Sequence, residues 1–541
     1  MKRTSLRSKS WHQRGALLLA GLLLAGVPAQ GAQVRVSTNL QPPPPLEAPA
    51  LDIRDNAIQL PIDRAIEVAL QRNLGIVIQR YIRVQQRLAI IEALGLYDLN
   101  ATIDAMADNN SSPAPTRFQA SQSQSQGINF GLRQRTPQGG LVSVGWQNSR
   151  SKSDISTSPY RSGLTFSFDQ PLLRNYGRYA NERSIVVAQI NSRLSRQEFA
   201  LQVTDIAQRV VNAYWSLVNA REQLVVAQES LQLARDLHGR NKIQVQVGTL
   251  APLELTQSEA AIATREEGII QATSAVGDAE DTLRQLLNLP PGPLWQTPIV
   301  PTSDPKTSEK VTVNVDEALR IALAQRPELA NQQIQLEQAK RDAEYFRGQL
   351  KPTLDLAVSY GYSGLGTAYS GAFNQITGLD FRGWSAQLNF AYPIQNRTAR
   401  AQSASANIAV DRFQALYDQQ RLVIETEVRR AARAVDTAVK SIEAASKARQ
   451  FQEKNLDAEK KRYENGMSTS FQITQIQEQL TTARSGEVTA IVNYRTALAE
   501  YYRATGKLLD QEGVVLDDPQ EGEAISQRYN LHRAPLPGEV R

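Results

Sequence analysis

Few residues in this chain have the types and spacing that a catalytic or metal-binding site requires. The 541 residues include three histidines and no cysteine. His12 lies in a basic N-terminal segment, and His238 and His532 are far apart in sequence, so no histidine cluster has the spacing of a zinc site. We expect no metal, no cofactor and no catalytic group, and we expect His238 to be an ordinary residue of a long helix.

A group of glycines and a group of acids are the remaining candidate sites. Gly361, Gly364 and Gly366 superficially suggest a phosphate loop, but their spacing is not that of a dinucleotide or Walker motif. No helix is expected promptly after them, so we predict a flexible loop. The acids around Asp278 and Asp281 fall on helix faces, where solvation explains them. The chain is therefore predicted not to be an enzyme.

The dominant pattern is a heptad seam in two long helices. Apolar residues recur at alternating steps of four and three at Phe199, Val203, Ile206, Val210, Ala213, Leu217, Ala220, Leu224, Ala227, Leu231 and Ala234. A period of 3.5 residues indicates closely packed helices with a left-handed supercoil. The run from Arg178 to Leu289, with a turn at 248–252, is predicted to be a helical hairpin whose first arm is about 105 Å long.

The hairpin occurs twice in the sequence. Positions 206–227 and 424–445, which are 218 residues apart, carry the same seam without a gap. An amphipathic helix that begins at Ile62, and is expected to run to about Leu96, has a copy at 315–323. The chain is therefore predicted to consist of two copies of one unit, and a duplicated rod or wall is favoured over a globular core.

Charge and hydropathy restrict the class of partner. The formal charge is +6, but residues 1–32 hold five basic residues and no acid, which leaves 55 basic against 54 acidic residues. We therefore expect no nucleic acid partner. The apolar core from Ala16 to Val27 predicts a signal peptide. A membrane anchor is the alternative, although the core is short for a span of about 20 residues.

Between the amphipathic helix and the helical hairpin of each copy, apolar residues alternate with polar ones, so the hydrophobic pattern has a period of two residues. Alternating segments include 99–105 and 164–168 in the first copy and 354–362 and 384–392 in the second; the first copy adds a hairpin around Gly139 and Gly140. Such strands suit a transmembrane barrel, with a soluble β-layer as the alternative. Four strands, or six with the hairpin, are fewer than the roughly eight of the smallest barrels, so several chains must contribute. The sequence leaves open whether the hairpin joins the barrel or forms a plug or loop.

These patterns divide the chain into six segments. They are a signal peptide at 1–32, a Pro-rich linker at 33–54, a first repeat at 55–291, a linker at 292–310, a second repeat at 311–510 and a tail at 511–541. The polar chain after Gly506 is expected to be poorly ordered. Pro171 and Pro393 follow the last strand of each repeat and are predicted strand-to-helix exits, because proline lacks an amide hydrogen and suits a helix start.

The order of elements over residues 55–510 resembles the outer membrane efflux protein family, the TolC-like channel-tunnels. The resemblance rests on the helix openings 62–70 and 315–323, on Pro171 and Pro393, and on the turns 247–249 and 465–467. It implies a mixed α and β membrane protein built from two tandem repeats. In the family, a trimeric transmembrane β-barrel of twelve pooled strands is continued by a long periplasmic α-helical barrel.

The resemblance also implies a gate at the helical tips, closed at rest and opened by partners. The tips are the turns at Gly248 and Gly466. Tyr463 matches the gate tyrosine of the family, and Glu254 falls where an acidic partner for it is expected.

The chain departs from the family pattern at three tip positions. An arginine and two aspartates are usual where this chain has Ser468, Gln472 and Gln475. A lock made by that arginine is therefore not expected, and multivalent cations should block the entrance only weakly. Substitutes for the lock, or ordinary surface pairs, would come from Arg240, Lys242, Arg462 and Glu464.

We therefore predict an outer-membrane channel-tunnel with its helices in the periplasm. It would act as the passive exit duct of a tripartite efflux or type I secretion system. The partners implied are two further copies of the chain in a homotrimer, a periplasmic adaptor protein, an inner-membrane pump that supplies energy, and outer-membrane lipid. A periplasmic coiled-coil adaptor and a structural coiled-coil protein are the alternatives, but neither explains both the duplication and the strands. The transported substrate is not specified.

Overall fold

The chain forms two β-sheets and a set of helices dominated by two long hairpins. The computed structural model describes residues 52–113, 116, 120–154, 159–305 and 311–514. The predicted signal peptide, most of the first linker and the end of the tail lie outside these residues. No helix among the residues described is both long and apolar enough to cross a membrane.

The elements follow one another in a similar order in each half. The first half contains β1 (Asp52–Arg54), β2 (Ala57–Leu60), α1 (Ile62–Arg72), α2 (Leu74–Leu94), a 3-10 turn (Gly95–Tyr97), β3 (Asn100–Ser111), β4 (Gln122–Arg135), β5 (Leu141–Ser153), β6 (Tyr160–Pro171), α3 (Arg178–Asn181), α4 (Arg183–Gln246) and α5 (Leu253–Leu287). The second half contains α6 (Pro293–Gln296), β7 (Ile299–Pro301), α7 (Val315–Gln325), α8 (Pro327–Gly348), β8 (Thr353–Gly366), α9 (Tyr369–Thr377), β9 (Arg382–Ala391), α10 (Arg397–Glu464), α11 (Ser470–Thr505) and α12 (Leu508–Gln511).

The heptad seam is buried along the two longest helices. α4 has 64 residues, which corresponds to a length of about 96 Å. Its seam residues Val203, Ile206, Val210 and Leu217 are at most 4% exposed. The equivalent stretch of α10, from Ile424 to Ala438, is buried in the same pattern. The predicted helical hairpins are therefore present as α4–α5 and α10–α11.

The first amphipathic helix does not run without interruption from Ile62 to about Leu96, so this prediction is wrong. It breaks at Asn73, whose Oδ1 accepts a hydrogen bond from the N–H of Gly75 at 2.9 Å and caps α2. The second half breaks at Arg326, before Pro327, because the residue before a proline is disfavoured in a helix. Asn73 and Arg326 are 253 residues apart, the same offset as the two helix openings.

The larger sheet has six antiparallel strands in the order β3-β4-β5-β6-β8-β9. The additional hairpin around Gly139 and Gly140 supplies β4 and β5, so it is part of the sheet and is neither a plug nor a loop. Residues that are direct partners share a face. One row of partners across the sheet is Ala101, Leu132, Val144, Phe166, Tyr360 and Trp384. One face of the sheet is therefore apolar and aromatic, as the alternation predicted, and the other is mostly polar.

A small sheet occupies part of the two predicted linkers. β1 pairs with β2, and β2 pairs in parallel with β7, with Ile58 opposite Ile299. The buried Arg284 donates to Glu280 at 2.7 Å and to the carbonyl oxygen of Thr297 at 3.0 Å, which joins this sheet to α5. The predicted linker 292–310 thus contains the short elements α6 and β7, which the sequence did not reveal because elements of three or four residues are too short to give a periodic pattern.

The segment after Gly506 also differs from its prediction. Leu508 in α12 is 1% exposed and lies in the same hydrophobic core as Leu60 and Tyr214. Val514 packs against this core as well. The described part of the tail is therefore ordered by apolar burial, a signal that its polar composition concealed.

The predicted flexible loop between β8 and β9 contains the helix α9. A Cβ placed on Gly364 would lie 2.0 Å from the carbonyl oxygen of Ala372. Ala372 and Ile376 of α9 are buried. Gly364 is therefore required for the close approach of a helix backbone to a strand, and the expectation that no helix follows these glycines promptly is wrong.

The two strand-exit prolines lie outside the helices that follow them. Pro171 is the last residue of β6, and Pro393 comes two residues after β9. The long helices begin only after a short irregular link, at Arg183 and Arg397. Each proline therefore ends the strand ladder, but neither begins a helix.

Candidate functional site

The tips of the two hairpins are built on the same turn. Gly248 and Gly466 have φ angles of +78° and +72°, in the left-handed region that favours glycine. The N–H of Thr249 donates to the carbonyl of Gln244 at 2.9 Å, and the N–H of Met467 donates to that of Arg462 at 2.8 Å. The turns therefore reverse the chain identically, and differences between the tips come from their side chains.

Tyr463 joins the second hairpin to the first. Its side chain is 6% exposed, and its phenol oxygen lies 2.8 Å from Oδ1 of Asn241 and 2.8 Å from Oε1 of Gln244. A phenol has one hydrogen and donates to one amide oxygen at a time. Turning the Asn241 amide by half a rotation brings its Nδ2 group, which is buried without a partner, to the phenol as a donor. The phenol then accepts from Asn241 and donates to Gln244.

The pKa of Tyr463 is raised by its surroundings. Burial is the largest cause, and the negative charge of Glu254 adds to it, while Arg240 acts in the opposite direction. The hydroxyl therefore keeps its hydrogen, and with it the donor role, across the physiological pH range.

Glu254 also contacts the opposite hairpin, through a different residue from the one expected. The sequence placed it as the acidic partner of Tyr463, but its carboxylate accepts a hydrogen bond from the hydroxyl of Ser470. Its action on Tyr463 is through charge alone. Two neutral donors of α10 and α11, a phenol and a hydroxyl, thus reach acceptors on α4 and α5.

Ser468 stands where the family usually has an arginine, and it contacts its own hairpin. Its hydroxyl donates to Glu459 and lies 2.8 Å from Oε1 of Gln472. Arg462, one of the proposed substitutes, is 3.4 Å from the same Glu459. These contacts hold the second turn together but do not join the two hairpins.

An exposed ion pair also crosses between the hairpins at the tips. Arg240 Nη1 lies 3.2 Å from Oε1 of Glu464, with side chains 53% and 60% exposed. Exposed pairs of this kind contribute about 0–1 kcal/mol. Gln472 and Gln475 lie exposed on α11. The contacts between the tips therefore depend mainly on hydrogen bonds donated by the neutral hydroxyls of Tyr463 and Ser470, with a minor contribution from this surface pair.

A small apolar cluster supports these polar contacts. It contains Leu237, Leu456, Tyr463, Ile473 and Leu480, from α4, α10 and α11. The two hairpins are thus packed together as well as hydrogen-bonded near their tips.

Sequence reasoning missed Asn241, Gln244 and Ser470. A signal for Asn241 was present, because the steps of four and three that reach Ala234 continue to His238 and Asn241. Polar residues at two successive seam positions indicate a specific contact. His238 is such a residue, since its Nδ1 lies 2.8 Å from the hydroxyl of Ser258 on the return helix.

The two hairpins, the amphipathic helices and the antiparallel sheet define a class of protein. Residues 135–289 and 318–507 match the family described as outer membrane efflux protein, so the chain belongs to that family. The resemblance to the TolC-like channels, inferred from the order of elements, is confirmed. The family consists of transport channels, which also confirms that the chain is not an enzyme.

Solved structures with the same fold are channels from several bacteria. The outer membrane channel CmeC of Campylobacter jejuni is 15% identical, with 88% of this chain and 89% of that one covered and a TM-score of 0.63. The open-state MtrE outer membrane channel of Neisseria gonorrhoeae is 17% identical, with 86% and 98% covered and a TM-score of 0.60. The outer membrane protein VceC of Vibrio cholerae is 15% identical, with 82% and 96% covered and a TM-score of 0.61. At these identities the likeness concerns the fold. No curated protein sequence matches the chain.

Proposed function

We propose that this protein is the outer-membrane exit duct of a tripartite efflux or type I secretion system. The observation that carries the proposal is one chain with long helical hairpins at one end of each repeat and, at the other, a sheet with an apolar face. Membership of the outer membrane efflux protein family supports it. The duct is passive, and an inner-membrane pump supplies the energy.

The sheet is the part that enters the outer membrane, as a barrel shared by three copies. β3 and β9 form its edges, and an exposed edge is a template for pairing with another chain. Since the sheet has an even number of antiparallel strands, β9 of one copy can pair with β3 of the next without breaking the alternation. The apolar face then contacts lipid, and the polar face lines the lumen.

The long helices of three copies continue this passage through the periplasm. A helical barrel gives the seam of α4 and α10 its function, because alternating small and bulky residues allow neighbouring helices to pack side by side. The tips at Gly248 and Gly466 form the entrance and meet a periplasmic adaptor protein. The closed entrance is held by Tyr463 with Asn241 and by Glu254 with Ser470.

Single-channel recording on the purified trimer tests this proposal. The full chain would be purified in detergent, crosslinked to measure the number of copies, and inserted in planar bilayers. Discrete conductance steps from a preparation of three copies are expected, together with fractionation to the outer membrane. A water-soluble protein that gives no steps would instead support the periplasmic adaptor.

A further inference from the structure

A row of glycines and threonines crosses the polar face of the six-stranded sheet. Successive partners from β3 to β9 are Thr102, Gly131, Gly145, Thr165, Gly361 and Gly383. We call these six residues the glycine row. The row next to it on the same face is Asn100, Arg133, Ser143, Ser167, Ser359 and Ser385. The glycine row is therefore uncharged and carries less side-chain volume than this neighbouring row.

Backbone conformation does not explain these glycines. None of the four has a φ angle in the left-handed region. A Cβ on Gly145 or Gly383 would meet nothing within 4 Å, whereas a Cβ on Gly131 would lie 2.6 Å from Oγ1 of Thr102 and one on Gly361 would lie 2.7 Å from the carbonyl oxygen of Leu164. Glycine in a strand costs about 0.5–1 kcal/mol relative to alanine. At Gly145 and Gly383 no local contact requires glycine, and its effect is to leave free space above the sheet.

Strand number sets the width of a closed barrel. Six strands from each of three copies make eighteen, whereas the resemblance to the family implied twelve. With strands about 4.8 Å apart and tilted by about 40°, twelve strands give a backbone diameter of about 24 Å and eighteen give about 36 Å. The hairpin β4–β5 supplies the difference, and it also carries Gly131 and Gly145 of the glycine row.

We infer that the hairpin β4–β5 and the glycine row together adapt this channel to cargo of large cross-section. All six strands form the wall, which makes the backbone diameter about 1.5-fold that of a twelve-stranded barrel and widens the lumen by at least the same factor. The glycine row keeps one level of that lumen free of charge and of bulky side chains, so that passage there depends on cargo size alone. The inference rests on the proposed function as a trimeric channel.

Single cysteines test whether β5 belongs to the wall, and the chain has no native cysteine to interfere. Gly145→Cys places a thiol on the polar face, and Val144→Cys, one residue away, places it on the apolar face. A membrane-impermeant thiol reagent added to channels in a planar bilayer should modify the first variant and lower its conductance in up to three steps. The second variant should not react. Modification of both variants alike, or of neither, would overturn the assignment of the hairpin to the wall.

Neutral polymers of graded size measure the width. Deleting Gln122–Ser153 removes β4 and β5 and leaves β3 and β6 antiparallel, so a twelve-stranded barrel remains possible. Polymers are added from the sheet side. The largest polymer radius that enters the full channel should be at least about 1.5-fold the largest that enters the deletion variant. Equal cut-offs would refute the wider lumen.

The glycine row has its own test, which does not require the deletion variant to fold. A large and a small uncharged reagent attached to Gly383→Cys in assembled channels should lower the polymer cut-off in proportion to their size. A cut-off unchanged by either reagent would show that the row does not limit cargo. Failure of the unmodified protein to form channels would defeat the proposed function itself, and this result is distinct from all of the others.

Discussion

Replacing Tyr463 with phenylalanine is expected to loosen the closed entrance while leaving the protein folded. The substitution removes one oxygen from a side chain that packs against Leu237, Leu456 and Ile473, so the apolar contacts of the cluster remain. The change deprives the amide of Asn241, which is fully buried, of its partner on the other hairpin.

The size of the effect follows from the burial of these groups. Leaving a buried polar group without a partner costs about 1–3 kcal/mol. A loss of about 2 kcal/mol per copy changes the balance between closed and open tips by about 30-fold. If the three tips open together, the shift is about 3–9 kcal/mol for the channel, enough to make a rare open state a common one.

Single-channel recording provides the assay, with the fraction of time spent in the high-conductance state as the readout. That fraction should rise at least about tenfold. Tyr179→Phe is the matched control, because it removes a 2.7 Å hydrogen bond to the carbonyl of Arg341, on α8 and not at a tip. Unchanged gating in Tyr463→Phe would refute the assignment of the lock to this side chain. An equal change in the control would show that any lost tyrosine hydroxyl has the same effect.

The pKa of Tyr463 predicts a pH dependence for the same lock. Since burial raises this pKa, the closed tip holds the phenol proton more tightly than an exposed tyrosine does. The closed state is therefore stable at neutral pH and loses stability as the pH rises above about 10, the ordinary tyrosine value. Open probability should increase there in the wild type but not in Tyr463→Phe.

Three further predictions concern charge. Arg240→Ala should shift the balance between closed and open tips by less than about fivefold per copy, and by less than Tyr463→Phe does in the same recordings, because its pair with Glu464 is exposed. Glu512→Gln should raise the melting temperature at pH 7 by about 1 °C or more. The reason is that burial raises the pKa of Glu512, so the wild-type fold loses stability as the pH rises above about 4.3. Thermal melts of both proteins at pH 4 and pH 7 check the difference. Replacing both Gln472 and Gln475 with aspartate should strengthen block by multivalent cations applied from the tip side in planar bilayers, where strong block of the wild type would contradict the expectation.

The long helices were predictable because their signal is repeated many times. A seam of eleven positions from Phe199 to Ala234 averages out single exceptions, and its copy in the second half adds an independent observation. The short elements had no such redundancy. β7 has three residues and α9 has nine, and α9 also includes Gly371, a poor helix former. Their formation depends on tertiary packing that no local pattern records.

The tip was predictable only where the backbone dictated the residue. Gly248 and Gly466 could be found because a tight reversal after a helix needs a left-handed residue. The partners of Tyr463 could not be found in the same way. Asn241 is 222 residues away from it and lies on the other hairpin, and sequence reasoning instead chose Glu254 by analogy with the family. Pairing across such a distance is determined by how the hairpins pack together.

The burial of Leu508 has a consequence for the order of folding. Its cluster includes Ile58, Ile66, Tyr214 and Ile299, so the core of the first half contains a residue from near the end of the chain. Leu508 lies nearly 300 residues after Tyr214 in the sequence, and contacts between residues far apart in sequence form slowly. Until Leu508 packs there, part of the apolar surface of the first half stays uncovered. A chain that ends before Leu508 is expected to display this surface to proteases and chaperones.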